Sequence, residues 1–205
     1  MPAYREHDIT LASFAQIQQE MTAHGLTPGE FAVVRRVIHT TADFEFQSLV
    51  RFSAQPIEAA KVALAQGVPI ITDVSMVAAG IGTVVRRTWQ PGVTVAVQQA
   101  PKVIGPTQTR TAAGMLACVR SHPSSIIVIG NAPTALMAVC DEVSAGRIQP
   151  ALIIGAPVGF INVVESKQAL AQLSIPHIVV TGRKGGSAVA AAILNALMIW
   201  TWEQA

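Results

Sequence analysis

The side chains that could do chemistry in this sequence are few, and one histidine stands apart from the rest. His39 closes a stretch in which Phe31, Val34, Val37 and Ile38 recur with a helical period, and it precedes Thr40, Thr41 and Asp43. A histidine at that place faces the negative end of a helix dipole, a setting that suits an imidazolium acting as general acid. A plain dipole partner would sit there equally well. Of the other histidines, His7, His24 and His122 lie in polar or breaker-rich stretches and read as exposed, and His177 begins an apolar run. Gly182-Arg183-Lys184-Gly185-Gly186-Ser187 is the clearest candidate for holding an anion. Glycines let backbone N–H groups approach a ligand, a following helix N-terminus adds partial positive charge, and two cations are present. Arg110 opens an Ala-rich helix, where a cation opposes the dipole, so a carboxylate partner or ligand is expected for it. Asn131, in Gly130-Asn131-Ala132-Pro133-Thr134, either caps the next helix or touches a ligand. Glu165, at the start of a further helix, is accounted for by the helix dipole alone.

Other chemistries lack their signatures. There is no Gly-x4-Gly-Lys-Ser/Thr loop and no Gly-x-Gly-x-x-Gly after an apolar run, which weighs against a nucleotide-binding domain. Neither a Gly-x-Ser-x-Gly elbow nor a His-Glu-x-x-His or Cys-x-x-Cys metal motif occurs. Cys118 and Cys140 lie in apolar helical contexts and read as buried thiols in a reducing cytoplasm.

These residues must be positioned by a recurring pattern. Short apolar runs end in small or polar residues, and a helix follows each. The runs are Pro69 to Thr72, Val93 to Val97, Ser125 to Ile129, Ala151 to Ile154 and His177 to Thr181. Most lack alternation, as strands buried on both faces do. The pattern predicts a three-layer α/β/α domain around a parallel sheet, with ligands outside the carboxyl ends of the strands. Two helices are expected before it, the first capped by Thr10 and carrying Leu11, Phe14, Ile17 and Met21, with Gly25 and Pro28 as breaks. Glu45 to Phe52 reads as extended. No linker divides the 205 residues, so one domain is expected, with residues 1–45 packed on the α/β body.

Charged residues are only 13% of the chain, against about 25% in an average soluble domain, and the net charge is +2. Disorder, a coiled coil and a strongly basic nucleic-acid binder are excluded. The sparse charge points to surface covered by a second subunit. Mean hydropathy is +0.45, yet the longest apolar stretch, Ala188 to Trp202, contains Asn195 and Thr201 and is shorter than the ~20 residues a membrane span needs. The N-terminus lacks the apolar core of a signal peptide. A cytoplasmic protein without membrane or nucleic-acid partners is expected.

Five stretches together resemble the precorrin-8X / cobalt-precorrin-8 methylmutase family of cobalamin biosynthesis. They are Val37-Ile-His-Thr-Thr-Ala-Asp-Phe44, Thr109-Arg-Thr111, Gly130-Asn-Ala-Pro-Thr-Ala-Leu136, Pro157-Val-Gly-Phe160 with Glu165-Ser-Lys167, and Gly182-Arg-Lys-Gly-Gly-Ser-Ala188. The likeness runs in order from Ser13 to Leu197, and Ile161-Asn162-Val163-Val164 departs from the small residues usual before Glu-Ser-Lys. The resemblance implies a flavodoxin-like fold with a five-stranded parallel sheet of order 2-1-3-4-5, and a homodimer. It implies an isomerase that moves a methyl group from C-11 to C-12 of a corrinoid ring, with no cofactor and no protein-bound metal. The product would be hydrogenobyrinic acid, or cobyrinic acid if cobalt is already inserted. His39 matches the family's catalytic histidine. Ser13 and Arg110 match pocket residues, and Thr40, Asn131, Arg183, Lys184, Gly185, Gly186 and Ser187 complete the expected substrate-binding set. A corrinoid carrier that binds the pigment without converting it is the alternative, and His39 is what separates the two.

Overall fold

Apolar runs without alternation become strands whose side chains enter two cores at once. The computed structural model describes residues 4–205. In chain order the elements are α1 (Asp8–Glu20), α2 (Pro28–Thr41), α3 (Phe46–Leu49), β1 (Val50–Phe52), α4 (Pro56–Ala65), β2 (Ile70–Thr72), α5 (Ser75–Arg87), β3 (Val93–Val95), a 3₁₀ turn (Ala96–Gln99), α6 (Arg110–Ser121), β4 (Ile126–Ile129), α7 (Pro133–Ser144), β5 (Leu152–Gly155), α8 (Val163–Ala171), β6 (His177–Val180) and α9 (Ser187–Glu203). Along β4, Ile126 and Val128 enter one core while Ile127 and Ile129 enter the other. The first core is shared with α2, α4, α5 and α9, and the second with α6 and α7. The structure is therefore α/β with helices on both faces of the sheet.

The sheet has six strands, in the order β1-β6-β5-β4-β2-β3. This corrects the expected five-stranded, all-parallel sheet. The addition is β1, which pairs antiparallel with β6 in the register Val50↔Val180 and Phe52↔Ile178. The other five strands pair in parallel. β1 carried no strong signal because it is an edge strand of three residues, with Val50 buried and Arg51 exposed. Glu45 to Leu49, read as extended, holds the single turn α3 instead.

Two helix starts also differ from the reading. The cap of α1 is His7, whose Nδ1 accepts from the Ile9 N–H at 3.2 Å, so the helix begins before Thr10. Pro28 does not merely break the chain. It takes the first position of α2, behind a Thr27–Glu30 capping box in which each residue satisfies an N–H of the other.

The apolar stretch near the C-terminus is a buried helix. Helix α9 is apolar nearly all round because the sheet lies on one side and α2, α4 and α5 enclose the rest. Asn195 satisfies one polar group there by donating to the Gly80 carbonyl at 2.9 Å. Among the described residues no helix is long and apolar enough to cross a membrane. Much of the apolar excess that pointed to a covering subunit is thus consumed inside the single chain.

On the second face, Glu142 of α7 is buried and receives two-pronged bonds from Arg120 of α6 and from Arg147 beyond α7, at 2.7–3.2 Å. These bonds, first Arg120 and then Arg147, hold its carboxyl down to about 2. The folded value lies below that of an unfolded glutamate, about 4.3. The stabilisation is therefore complete above that value and is lost as pH falls toward 2. In urea unfolding measured between pH 6 and 2, Glu142→Gln should be less stable than the parent near pH 6, and the gap should close with acidification. A constant gap would assign the effect to packing.

Candidate active site

The carboxyl ends of the parallel strands carry the candidate residues, and the first thing found there is a carboxylate of the chain itself. Asp73 follows β2 and is fully buried. Its Oδ1 accepts from the N–H groups of Val74 (2.9 Å) and Gly130 (3.1 Å), and its Oδ2 from those of Asn131 (2.7 Å) and Ala132 (2.9 Å). β2 and β4 are neighbours whose connections leave in opposite directions, the place where open α/β sheets usually bind anionic ligands. Here the loop's N–H groups are already satisfied from within. The missing phosphate fingerprints thus have a structural counterpart. Asn131 does not cap α7, its N–H is taken by Asp73, and its side chain is exposed.

The glycine loop after β6 is held from below by a residue read only as part of a motif. Lys167 of α8 is 2% exposed, and its ammonium donates to the carbonyls of Gly182 (2.9 Å) and Lys184 (2.7 Å). Burial lowers this ammonium to about 8. The loop is also stitched to the segment after β5. The Gly186 N–H donates to the Ala156 carbonyl at 2.8 Å and the Gly159 N–H to the Arg183 carbonyl at 3.3 Å. Gly185 must be glycine, since its φ is +153° and a Cβ would run into the Ala156 carbonyl. Ser187 is buried as the first residue of α9. Its Cα would lie 2.7 Å from any Cβ at Gly130, so the loops after β4 and β6 are in close contact.

The two cations of this loop part company. The Lys184 ammonium donates to Asp43 and to Glu45, each at 2.6 Å, and is not a free cation. Those bonds, Asp43 first, raise Lys184, and Lys184 in turn lowers Asp43. Arg183 is exposed, forms no ion pair among the described residues, and lies over the Phe160 ring, 5.6 Å from its centroid. Phe160 and Ile161 are 80% and 77% exposed, so the cation stands beside an apolar surface.

His39 lies in the last turn of α2, exposed, four residues before Asp43. Its Nδ1 is 2.8 Å from Ser13 Oγ of α1, and Phe14 packs edge-on against the ring with centroids 5.3 Å apart. Nε2 makes no bond to any described residue, and His39 as a whole is exposed. Thr40 is exposed and returns its hydroxyl proton to the Arg36 carbonyl at 2.9 Å. Ser13, His39 and Thr40 therefore sit on two helices, and the Asp43–Lys184–Glu45 bridge ties them to the glycine loop.

Arg110 belongs to a second group, at the N-terminus of α6. It is exposed and pairs with no carboxylate among the described residues. Beside it Thr109 and Thr134 share a 2.8 Å hydroxyl contact that joins the starts of α6 and α7, at the mouth of a cleft of about 270 Å³ reaching Glu165. Among the described residues no bond links this group to His39. In the sequence Asp43 stands out only as a polar follower of His39 and Asp73 only as a strand-end residue, and no motif shows the roles of Glu45 and Lys167. Asp73 had a faint signal, an acid at the end of an apolar run. The bonds of Lys167 and Lys184 have no local signal, because their partners lie 15 to 141 residues away.

Comparison with known proteins assigns this arrangement to one lineage. Residues 8–200 match the family model described as precorrin-8X methylmutase. The chain is 44% identical to the cobalt-precorrin-8 methylmutase of Synechocystis sp., over 97% of this chain and 98% of that one. It is 38% identical to the precorrin-8X methylmutase of Pseudomonas aeruginosa, over 90% and 91%. The crystal structure of precorrin-8X methylmutase from Thermus thermophilus superposes with a TM-score of 0.88 at 38% identity, covering 96% of this chain and 97% of that one.

The internal carboxylate makes the rim sensitive to one residue. Asp73→Ala would leave buried N–H groups unpaired and should cost on the order of 3 kcal/mol in urea unfolding. Asp73→Asn keeps one acceptor oxygen and should lose less. An alanine variant as stable as the parent would show that water replaces the carboxylate.

Proposed function

The chain belongs to the precorrin-8X methylmutase family, and we propose that His39 is the proton donor with which it moves a methyl group from C-11 to C-12 of precorrin-8X or cobalt-precorrin-8. The enzyme is an isomerase of cobalamin biosynthesis. The C-11–methyl bond breaks, the C-12–methyl bond forms, and the formula of the ring is unchanged. The observation that carries the proposal is the 2.8 Å contact of Ser13 with Nδ1 of His39. With Nδ1–H donated to Ser13, Nε2 is the nitrogen that exchanges a proton with the substrate. Protonation or hydrogen bonding at a ring nitrogen redistributes the π electrons so that the methyl can migrate, and the proton returns afterwards. Ser13 is a positioning residue for this acid.

The rest of the site binds. The substrate is a large flat ring edged with acetate and propionate groups. Phe160 and Ile161 offer apolar surface, while Arg183 and the unpaired Arg110 suit the carboxylates. Thr40, Asn131, Gly185 and Gly186 stay in the proposed binding set. Lys184 takes a different part, holding Asp43 and Glu45 so that the glycine loop and the α2 end move as one piece, and Ser187 starts α9. The order of the parallel strands, β3-β2-β4-β5-β6, supports a flavodoxin-like core extended by β1. We infer that the 205 residues act as one domain, in the cytoplasm, and as a homodimer whose second subunit helps unite the His39 and Arg110 groups on one ring.

His39→Ala should retain the coloured ring but convert it ~10²–10⁴-fold more slowly, the usual worth of general acid catalysis, as read from the absorption spectrum after adding precorrin-8X. Conversion at the parental rate by purified variant would overturn the assignment. Light scattering at micromolar concentration should give twice the 21.5 kDa chain mass. A clean monomer would refute the shared-site arrangement.

A further inference from the structure

Lys167 is an uncommon object, a lysine that is 2% exposed and, among the described residues, forms no ion pair and donates to the carbonyls of Gly182 and Lys184. Burying a cation against neutral partners is costly. The Cα trace of the loop is already secured by the Gly186–Ala156 and Gly159–Arg183 bonds. What the ammonium adds is the orientation of two peptide planes. In a trans peptide the carbonyl and the following N–H point in opposite directions. With the carbonyls of 182 and 184 turned inward to Lys167, the N–H groups of Arg183 and Gly185 turn outward, and among the described residues neither has a protein acceptor. The guanidinium of Arg183 is carried on the same peptide as one of them. Burial lowers the ammonium to about 8, so it still holds its proton at neutral pH.

We propose that Lys167 is a positioning residue for substrate binding, whose ammonium turns the Gly182–Gly186 loop so that the Arg183 and Gly185 N–H groups grip a carboxylate on the corrinoid rim. It touches no reacting atom. Its effect is on binding and not on the methyl shift. The inference rests on reading this loop as the carboxylate-binding rim of the methylmutase.

The test uses the intact protein and the ring product, hydrogenobyrinic acid, as probe. In wild-type amide spectra, adding the probe should move the Arg183 and Gly185 proton signals downfield, as charged acceptors do. Lys167→Met should abolish those shifts and raise KM about 10-fold or more, the worth of a hydrogen bond to a charged group, with kcat changed less than about threefold. Lys167→Gln retains two N–H donors and should recover part of the KM. A purely structural lysine would lower stability without this split between KM and kcat. If Lys167→Met does not fold, the wild-type spectra decide alone. Turnover of precorrin-8X with unmoved Arg183 and Gly185 amides overturns this inference and leaves the function standing. Absence of wild-type turnover overturns the function itself.

Discussion

A single buried carboxylate organises the carboxyl end of the parallel strands. Asp73 draws four N–H groups onto its two oxygens, one from the start of α5 and three from the loop between β4 and α7. A carboxyl group removed from water needs such donors, and the donors need an acceptor, so neither is stable without the other. Its backbone is engaged as well. The Asp73 N–H donates to the Val128 carbonyl and its carbonyl accepts from the Val97 N–H. One residue therefore sets the spacing of β2, β4 and the 3₁₀ turn. In nucleotide-binding relatives of this architecture, an incoming phosphate takes the corresponding place. Filling it from within leaves the N–H groups of Val74, Gly130, Asn131 and Ala132 already paired, so none of them is free for an outside anion.

Those outer parts are joined by charge. Lys167 sets the orientation of the glycine loop from beneath, and Lys184 reaches from the same loop to Asp43 and Glu45, at the end of the helix that carries His39. The two lysines differ in environment and hence in work. Buried Lys167 has, among the described residues, only carbonyl partners and a lowered affinity for its proton. Exposed Lys184 lies between two carboxylates and has a raised one. Arg183, beside Lys184 in sequence, forms no ion pair among the described residues. Three cations at one loop thus divide into a buried support, a salt-bridged tie and an exposed guanidinium without an ion pair among the described residues. The division follows from where each side chain lies relative to water, and chain position alone does not reveal it.

The composition bears on assembly less directly than its average implies. A mean hydropathy of +0.45 fits a covered surface, but α9 accounts for much of it inside one chain, enclosed by the sheet and three helices. Apolar side chains do face outward in the segment after β5, where Val158, Phe160 and Ile161 are exposed.

Local rules were enough to find most of the elements. The unbroken Ile and Val runs of β4 and β6, Pro133 at the start of α7, and Gly67 after α4 each act within a few residues, through burial on two faces or through a fixed backbone angle. The place of His39 in the last turn of α2 was legible for the same reason, since a helix end and its polar followers are local facts. Tertiary structure alone decided the pairing of β1 with β6, because a three-residue edge strand takes its identity from its neighbour. It also decided that Ser13 meets His39 from 26 residues away, that Asp73 serves as an internal anion, and that Lys167 and Lys184 have opposite surroundings. A sequence fixes which groups exist and how adjacent ones interact. Only the packed chain sets the distance between remote donors and acceptors and the water left around them, and those two quantities determine what a charged group does.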